Sequence, residues 1–597
     1  MIDTNICAWD WIVICFYFIF VIGIGFLFKH VNKNASDFFR GGGNMLWWMA
    51  GMSAIAASLS TWSFTAASAK VYRTGFLWPF SSLLAGGISC IILWYLAPRF
   101  RQMRVVTSLE GVARRFGFGS EQFYVYLTLP MGLFWGGVGA CGSAIFFSEA
   151  LGIGVPQTLV AVVSIVTIMS MFGGQWAVAA SDFVQGLLMF LTVLVVVYFS
   201  LGLPEIGGIG NLTNSLPERH FNFTENTHAE IVIAWLIVSQ ILTVFGTMNL
   251  NGEGARYLAV KDGKQARGMV MLRLVLFVVI PVVMIMQIPA ICAATVFPDM
   301  EAIFPNMKVP EEGAFLAMAF KTLPQGMMGL LICGMFAAAM SSMDSSLNFN
   351  AGYFVRNIYI KYINRNASGK RQLMMGRVFT LIFGAIIIII GLSFHSSREM
   401  DLFNVFQILN AMIWLPSLVP TSLGMIYKRT PGWSGWSTVL VGLVTGAIAK
   451  FIYSNEGMQA ILGIASETTK AEKADMEFIF ITLIVLVATV GWFFFSSLFY
   501  NKTKEEYKEQ VNLFFIDIKT PIDHKKEDVR NQDAMQYRLV GIMCIIFGGF
   551  ATLGMLIPNP LSGRLCFLFV GGIILTLGIV LFSISVKKLK DDPNAEL

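Results

Sequence analysis

The sequence predicts an all-α, polytopic membrane protein of about 15 transmembrane helices. Three observations carry that fold class. Hydrophobic residues make up 56% of the 597-residue chain and charged residues 13%, where a soluble domain carries roughly 25% charged residues. Fifteen runs supply the ~20 apolar residues that cross a bilayer. Polar residues are concentrated in the middle of a few of these runs. With so many spans, closed helices are the economical solution, since strands would show ten-residue alternation.

In chain order the runs are 7–28, 46–70, 76–97, 121–151, 155–173, 178–203, 229–249, 269–297, 325–352, 374–394, 402–427, 434–454, 476–500, 537–558 and 563–586. With the first terminus outside, segments 29–40, 99–115, 256–273, 356–377, 428–429, 502–538 and 587–590 fall inside. They hold 32 of the 42 Lys and Arg residues. The positive-inside rule therefore predicts the N-terminus out and the C-terminus in. Residues 501–536 are then a polar cytoplasmic linker. The N-x-T motifs at Asn211 and Asn222 lie on an outer loop. Asp3, rather than basic residues, precedes the first run, so no cleavable signal peptide is expected.

Several function classes are disfavoured. A net charge of +6 is small for this length and gives no reason to expect nucleic acid. Most of the eight cysteines lie in apolar runs without a C-x-x-C pair, which reads as buried thiols. The five histidines (His30, His220, His228, His395, His524) are expected in loops, against a proton relay or metal site at depth. The spans show no Ser–His pairing, and GGG at 41–43 lacks the following Lys-Ser/Thr of a phosphate loop. No enzyme is expected. A membrane sensor is disfavoured because 501–536 and the tail KKLKDDPNAEL are too short for a signalling domain.

The polar interruptions are the informative part. FAAAMSSMDSSLN (336–348) puts four serines, an aspartate and an asparagine into a spanning run. An ionisable residue at that depth is a functional hypothesis by default. Ala338, Ser341, Ser342 and Ser345 are spaced i, i+3, i+4, i+7 and share one helix face. SAIAASLSTWSFTAAS (53–68) and GTMNLNGEG (246–254) look like helices that unwind. Interrupted helices five spans apart point to inverted repeats with a binding site between them.

Four motifs carry a resemblance: ASDFFRGGGNMLWWMAGMSAIAASLS (35–60), GGQWAVAASDFVQG (173–186), ARYLAVKDGKQARG (255–268) and AAAMSSMDSSLN (337–348). On these the chain resembles the sodium/solute symporter family, which includes sodium/glucose, sodium/proline and sodium/sialic acid transporters. The resemblance covers roughly 35–430. It implies a LeuT-type core of two inverted five-helix repeats at 45–428. An extra helix and loop at 1–44 precede it, and four further helices at 429–597 follow. It implies a primary sodium site of Ala56, Leu59, Ala338, Ser341 and Ser342. A second sodium site would use Asp182 with Ser341, Asp344 and Ser345. Asp344 is a departure, since relatives carry a hydroxyl there; one of the two acids could stay protonated.

Substrate contacts implied by the same resemblance are Ser58, Ser60, Thr61, Trp62, Ser63, Trp78, Ser82, Trp135, Asn249, Asn251 and Gln407. Gln407 matches a sugar-contacting glutamine. Ser63 and Ser82 stand where sugar carriers have a glutamine and a glutamate. Trp135 stands about where sialic acid carriers have an arginine, and Gly252 near a gating tyrosine. A neutral pocket of hydroxyls, amides and indoles suits a sugar or polyol. Lys70 and Arg73 are expected in the outer vestibule as an interfacial snorkelling pair, Lys70 being about 15 Å of helix beyond Ser60.

The expected function is sodium-coupled import of a small polar solute, most readily sugar-like, by alternating access at the plasma (inner) membrane. Sodium is the coupling ion, with no other cofactor. Rival readings are a proton-coupled carrier and a sodium symporter of an organic acid, sialic acid or amino acid.

Overall fold

The structure is a computed structural model that describes residues 6–28, 41–224, 227–305, 307–397, 402–522 and 532–591. The basic loop at 29–40, part of the linker (523–531), the tail beyond 591, and His30 and His524 lie outside the described residues. Within them, regular structure is helical, and one isolated bridge pairs Met45 with Val260.

The helices used below are α1 (Ala8–Phe28), α2 (Trp47–Ser58), α3 (Ala66–Thr74), α4 (Leu77–Gln102), α5 (Phe118–Leu151), α6 (Val155–Leu201), α7 (Ala229–Met248), α8 (Gly263–Leu274), α9 (Met327–Tyr353), α10 (Gly369–Ser397), α11 (Leu402–Leu409), α12 (Leu415–Leu423), α13 (Ser434–Ile452), α14 (Lys470–Ser496), α15 (Asp533–Leu553) and α16 (Leu561–Asp591). Among the described residues eleven helices are long and apolar enough to cross a membrane, or twelve if one bent pair counts as a span.

The other expected runs differ for physical reasons. Run 269–297 is bent by 48° between Gly263–Val279 and Val282–Val296, where Pro281 has no N–H to continue the helix. Run 46–70 is broken into α2 and α3. Ala8–Ile24 of α1 and Val155–Met171 of α6 are apolar, as expected of runs 7–28 and 155–173. Runs 155–173 and 178–203 both fall within the single helical run of α6.

The break after α2 follows from its serines. Ser58 Oγ donates to the Ile55 carbonyl at 2.7 Å, offering the backbone an alternative to the ladder. Leu59 then leaves helical geometry (φ −101°, ψ 70°) and Ser60 is extended. A 3₁₀ turn, Thr61–Phe64, leads into α3. After α7, Asn249 is extended and helix resumes at Glu253.

α9 is the centre of the bundle. Nearly all of its residues are buried, and it packs on α1, α2, α5, α6 and α10. The C-terminal helices hold the core at several points. Gln536 on α15 accepts from the Leu46 N–H at 2.8 Å and donates to the Asn44 carbonyl at 2.9 Å, anchoring the start of α2. The expected linker at 501–536 contains a helix, Glu505–Asp517, docked on helix Ser108–Phe116. There Gln510 donates to the carbonyls of Ala113 and Arg114, and Arg114 pairs with Asp517. His395 lies in the last turn of α10 rather than in a loop.

α15 and α16 pair through glycines. A Cβ on Gly571 would stand 2.3 Å from the Thr552 nitrogen, whereas one on Gly572 meets nothing nearer than 3.8 Å. Small residues permit such backbone approach in membranes. Gly571→Val is therefore expected to destabilise the protein by about 2 kcal/mol, and Gly572→Val to leave it unchanged. Thermal unfolding of detergent-purified variants checks this.

In the segment between α6 and α7, the His220 carbonyl accepts from the Phe76 N–H at 3.1 Å, and its Nε2–H donates to the Tyr72 carbonyl at 3.2 Å. Burial, reinforced by Arg219, pushes the His220 pKa down to about 4. A base depressed in the folded state opposes protonation. Its contribution is present above the ordinary value of 6.5 and is lost as pH falls toward 4. Stability measured against pH should fall across that window, and His220→Asn should flatten the fall.

Candidate ion and solute sites

The helical spacing of Ala338, Ser341, Ser342 and Ser345 turns one face of α9 toward α2 and α6. Ser341 and Ser345 are buried and Ser342 is partly buried. The groups expected to bind a primary ion partly satisfy one another. Ser342 Oγ lies 3.3 Å from the Ala338 carbonyl and 3.0 Å from that of Ala339. The Ala56 carbonyl accepts from the Leu59 N–H at 3.1 Å. Thr61 Oγ1 reaches the Met335 carbonyl at 3.4 Å, tying the broken stretch to α9.

Beside this face lies a buried oxygen cluster. Asp182 and Asp344 are fully buried. Ser53 Oγ donates to one oxygen of Asp182, and Ser170 Oγ to one oxygen of Asp344. The second oxygens, Asp182 Oδ1 and Asp344 Oδ2, have no hydrogen-bond partner, and neither does Ser341 Oγ. Ser341 neighbours the Asp182 carboxyl, and the two carboxyls interact electrostatically. The buried Tyr17 hydroxyl on α1 neighbours Gln185 and lies within electrostatic range of both acids. Buried polar groups are almost always paired, and unpaired ones cost free energy. A concentration of unpaired carboxylate and hydroxyl oxygens suits a hard cation, which supplies the missing interaction. Ser53, Ser170 and Tyr17 were not singled out from the sequence. Ser53 lies in the polar-dense stretch, but nothing local marks Ser170 or Tyr17.

A small, partly open cavity of about 30 Å³ lies alongside. Its walls include Ser53, Ser345, Asn348, Gln175, Arg256 and Ser108. Of the implied site residues, Ser345 alone lines it.

The aromatic residues expected around the solute do meet. Trp62 lies 5.7 Å from Trp78, 5.6 Å from Phe403 and 5.1 Å from Phe406 between ring centres. Trp135 lies 5.2 Å from Phe406. Trp62 Nε1 and Gln407 Nε2 are buried donors without an acceptor. Phe403 and Phe406 escaped the sequence reading, although FNVFQILN places both beside Gln407. Ser60 and Thr61 flank this cage at the break. The Ser63 carbonyl accepts from Gln287 at 2.7 Å. Ser82 Oγ bonds back to the Trp78 carbonyl at 3.0 Å.

Two implied contacts are engaged elsewhere. Asn249 Oδ1 accepts from Thr421 Oγ1 at 2.7 Å and from the Asn251 N–H at 2.9 Å. Asn251 Oδ1 accepts from Ser108 Oγ at 2.8 Å, with Tyr353 OH at 3.3 Å. They brace the break after α7 against α9, α12 and helix Ser108–Phe116. Lys70 also departs from expectation. It forms a buried ion pair with Asp475 instead of snorkelling, because α14 delivers an acid 405 positions away in sequence. Arg73 pairs with Glu311.

Comparison with known proteins adds four findings. A family model described as the sodium:solute symporter family matches residues 38–446. The sodium/sialic acid symporter NanT of Aliivibrio fischeri is 24% identical over 444 residues, 71% of this chain and 84% of its own length. The human sodium/myo-inositol cotransporter 2 is 24% identical over 537 residues, 81% of this chain and 76% of its own. Among solved structures, a sodium-coupled sialic acid symporter in a substrate-bound outward-open state aligns with a TM-score of 0.67 at 18% identity. It covers 84% of this chain and 98% of that one, a likeness of fold.

The bracing role of Asn249 is testable without any solute. Asn249→Ala leaves the Asn251 N–H without its acceptor, while Thr421 Oγ1 keeps the Ser417 and Leu418 carbonyls, a loss of about 1–3 kcal/mol. The thermal midpoint of the solute-free protein should drop. An unchanged midpoint would overturn the bracing role.

Proposed function

The chain belongs to the sodium:solute symporter family, and we propose that it is a sodium-coupled symporter importing a small, sugar-like polar solute by alternating access. The observation that carries this reading is the meeting of the broken α2–α3 segment with the serine face of α9, beside the unpartnered oxygens of Asp182, Ser341 and Asp344. Sodium at Ala56, Leu59, Ala338, Ser341 and Ser342 would displace the weak internal bonds of Ser342 with coordination to its hydroxyl and the Ala338 carbonyl. A second sodium would take Asp182, Ser341, Asp344 and Ser345. The aromatic cage of Trp62, Trp78 and Trp135 with Gln407 would hold the solute, rings against its apolar faces and amide against its hydroxyls.

The core at 45–428 is read as a LeuT-type pair of inverted repeats with broken helices at the site. The N-terminus lies out and the C-terminus in, which puts the small cavity on the cytoplasmic side as an exit route from the cluster. Coupling requires that sodium and solute each bind the outward and inward states unequally. The sialic acid and inositol relatives support a polyhydroxylated solute. One observation favours a second reading. Asp344 is an acid where a hydroxyl was expected, and a proton could take the place of the second sodium.

Uptake into proteoliposomes, with a solute panel of hexoses, inositols, sialic acids and amino acids, tests the reading. An inward sodium gradient should drive accumulation of one class. Ser342→Ala should raise the sodium concentration for half-maximal uptake by about tenfold, the loss of roughly one coordinating interaction. Asp182→Asn should lower the sodium cooperativity. Uptake that follows pH and ignores sodium would replace sodium with protons.

A further inference from the structure

Lys70 lies on α3, eight residues beyond Trp62. Its ammonium donates to both carboxylate oxygens of Asp475, at 2.9 and 3.2 Å. The side chains are only 9% and 11% exposed. The ammonium also stands 5.5 Å from the ring centres of Trp235 and Phe403. Phe403 in turn stacks on Trp62 with an interplanar angle of 22°. A formal positive charge therefore sits against one wall of the cage, the Phe403 ring.

The cage walls (Trp62, Trp78, Trp135, Phe403, Phe406 and Gln407) carry no charge themselves. The electrical character of the site is set by whether Lys70 is neutralised. Its neutraliser comes from α14, outside the ten-helix core. A buried ammonium stripped of its partner is strongly unfavourable, and the rings of Trp235 and Phe403 offset only part of that. A carboxylate on the solute would be the natural replacement, within reach of the flexible four-carbon stem. With Asp475 in place, an anionic solute meets an occupied cation and an opposing acid, an arrangement that discriminates by repulsion.

We propose that Asp475 is a specificity-determining residue: by holding Lys70 in a closed pair it keeps the cage neutral and directs it to uncharged solutes. Without it, Lys70 becomes a receptor for carboxylate-bearing ones. This rests on the cage being the solute site, as read above.

The test uses the full-length protein in proteoliposomes and two neutral–acidic probe pairs, galactose with galacturonate and glucose with glucuronate. Wild type should prefer the neutral member. Asp475→Asn should raise the acid-to-neutral binding ratio by about tenfold or more, the scale of one removed like-charge contact. Asp475→Glu should keep the wild-type ratio, and Lys70→Gln with Asp475→Asn should restore neutral preference. An unchanged ratio in folded Asp475→Asn overturns the proposal, as does wild-type preference for the acids. If Asp475→Asn does not fold, Lys70→Gln carries the test. The acid left alone must then disfavour the uronates by a further tenfold or so, and an unchanged ratio again overturns it. Trp62→Ala separates the two levels. Solute binding that survives Trp62→Ala removes the cage as the solute site. Binding lost there, with an unchanged ratio in Asp475→Asn, overturns this inference alone.

Discussion

Two carboxyl groups buried among apolar helices are the constraint around which this molecule is arranged. Neither Asp182 nor Asp344 has water available, so each needs oxygen or nitrogen partners brought by other helices. Ser53 on α2 and Ser170 on α6 each satisfy one carboxyl oxygen. The remaining oxygens stay open. That incompleteness costs stability and is hard to account for as packing alone. It is what a site for a transient cation requires, since a fully satisfied network would leave an entering ion nothing to gain.

The breaks in the helices serve the same chemistry. A continuous α2–α3 would spend every backbone carbonyl on its own ladder. Ser58 and the Ser60–Thr61 pair interrupt that ladder beside α9, where Thr61 reaches the Met335 carbonyl. The interruption also swings Trp62 into contact with Trp78, Phe403 and Phe406. The candidate ion and solute sites thus lie at one discontinuity of the chain.

Helices outside the proposed ten-helix core are joined to the candidate sites. α1 contributes Tyr17, within electrostatic range of the acids. α15 ties down the start of α2 through Gln536. α14 supplies Asp475 to Lys70. Each joins a terminal helix to a part of the bundle next to the candidate sites.

Much of this was legible in the amino-acid sequence. Apolar run lengths determined a helical membrane protein, because lipid leaves the backbone no other partner. The i, i+3, i+4, i+7 spacing determined that Ala338, Ser341, Ser342 and Ser345 share a face, because helix geometry is local. Clustered serines and glycine–asparagine stretches marked both breaks for the same reason. What the tertiary structure alone decided are pairings between distant segments: Ser170 with Asp344, Asn249 with Thr421, and above all Lys70 with Asp475. Sequence spacing says nothing about which helix faces which. A lysine at the end of a span is equally consistent with snorkelling into a headgroup and with a buried partner 405 positions away. Only packing chooses between them, because only packing decides whether water can reach the charge.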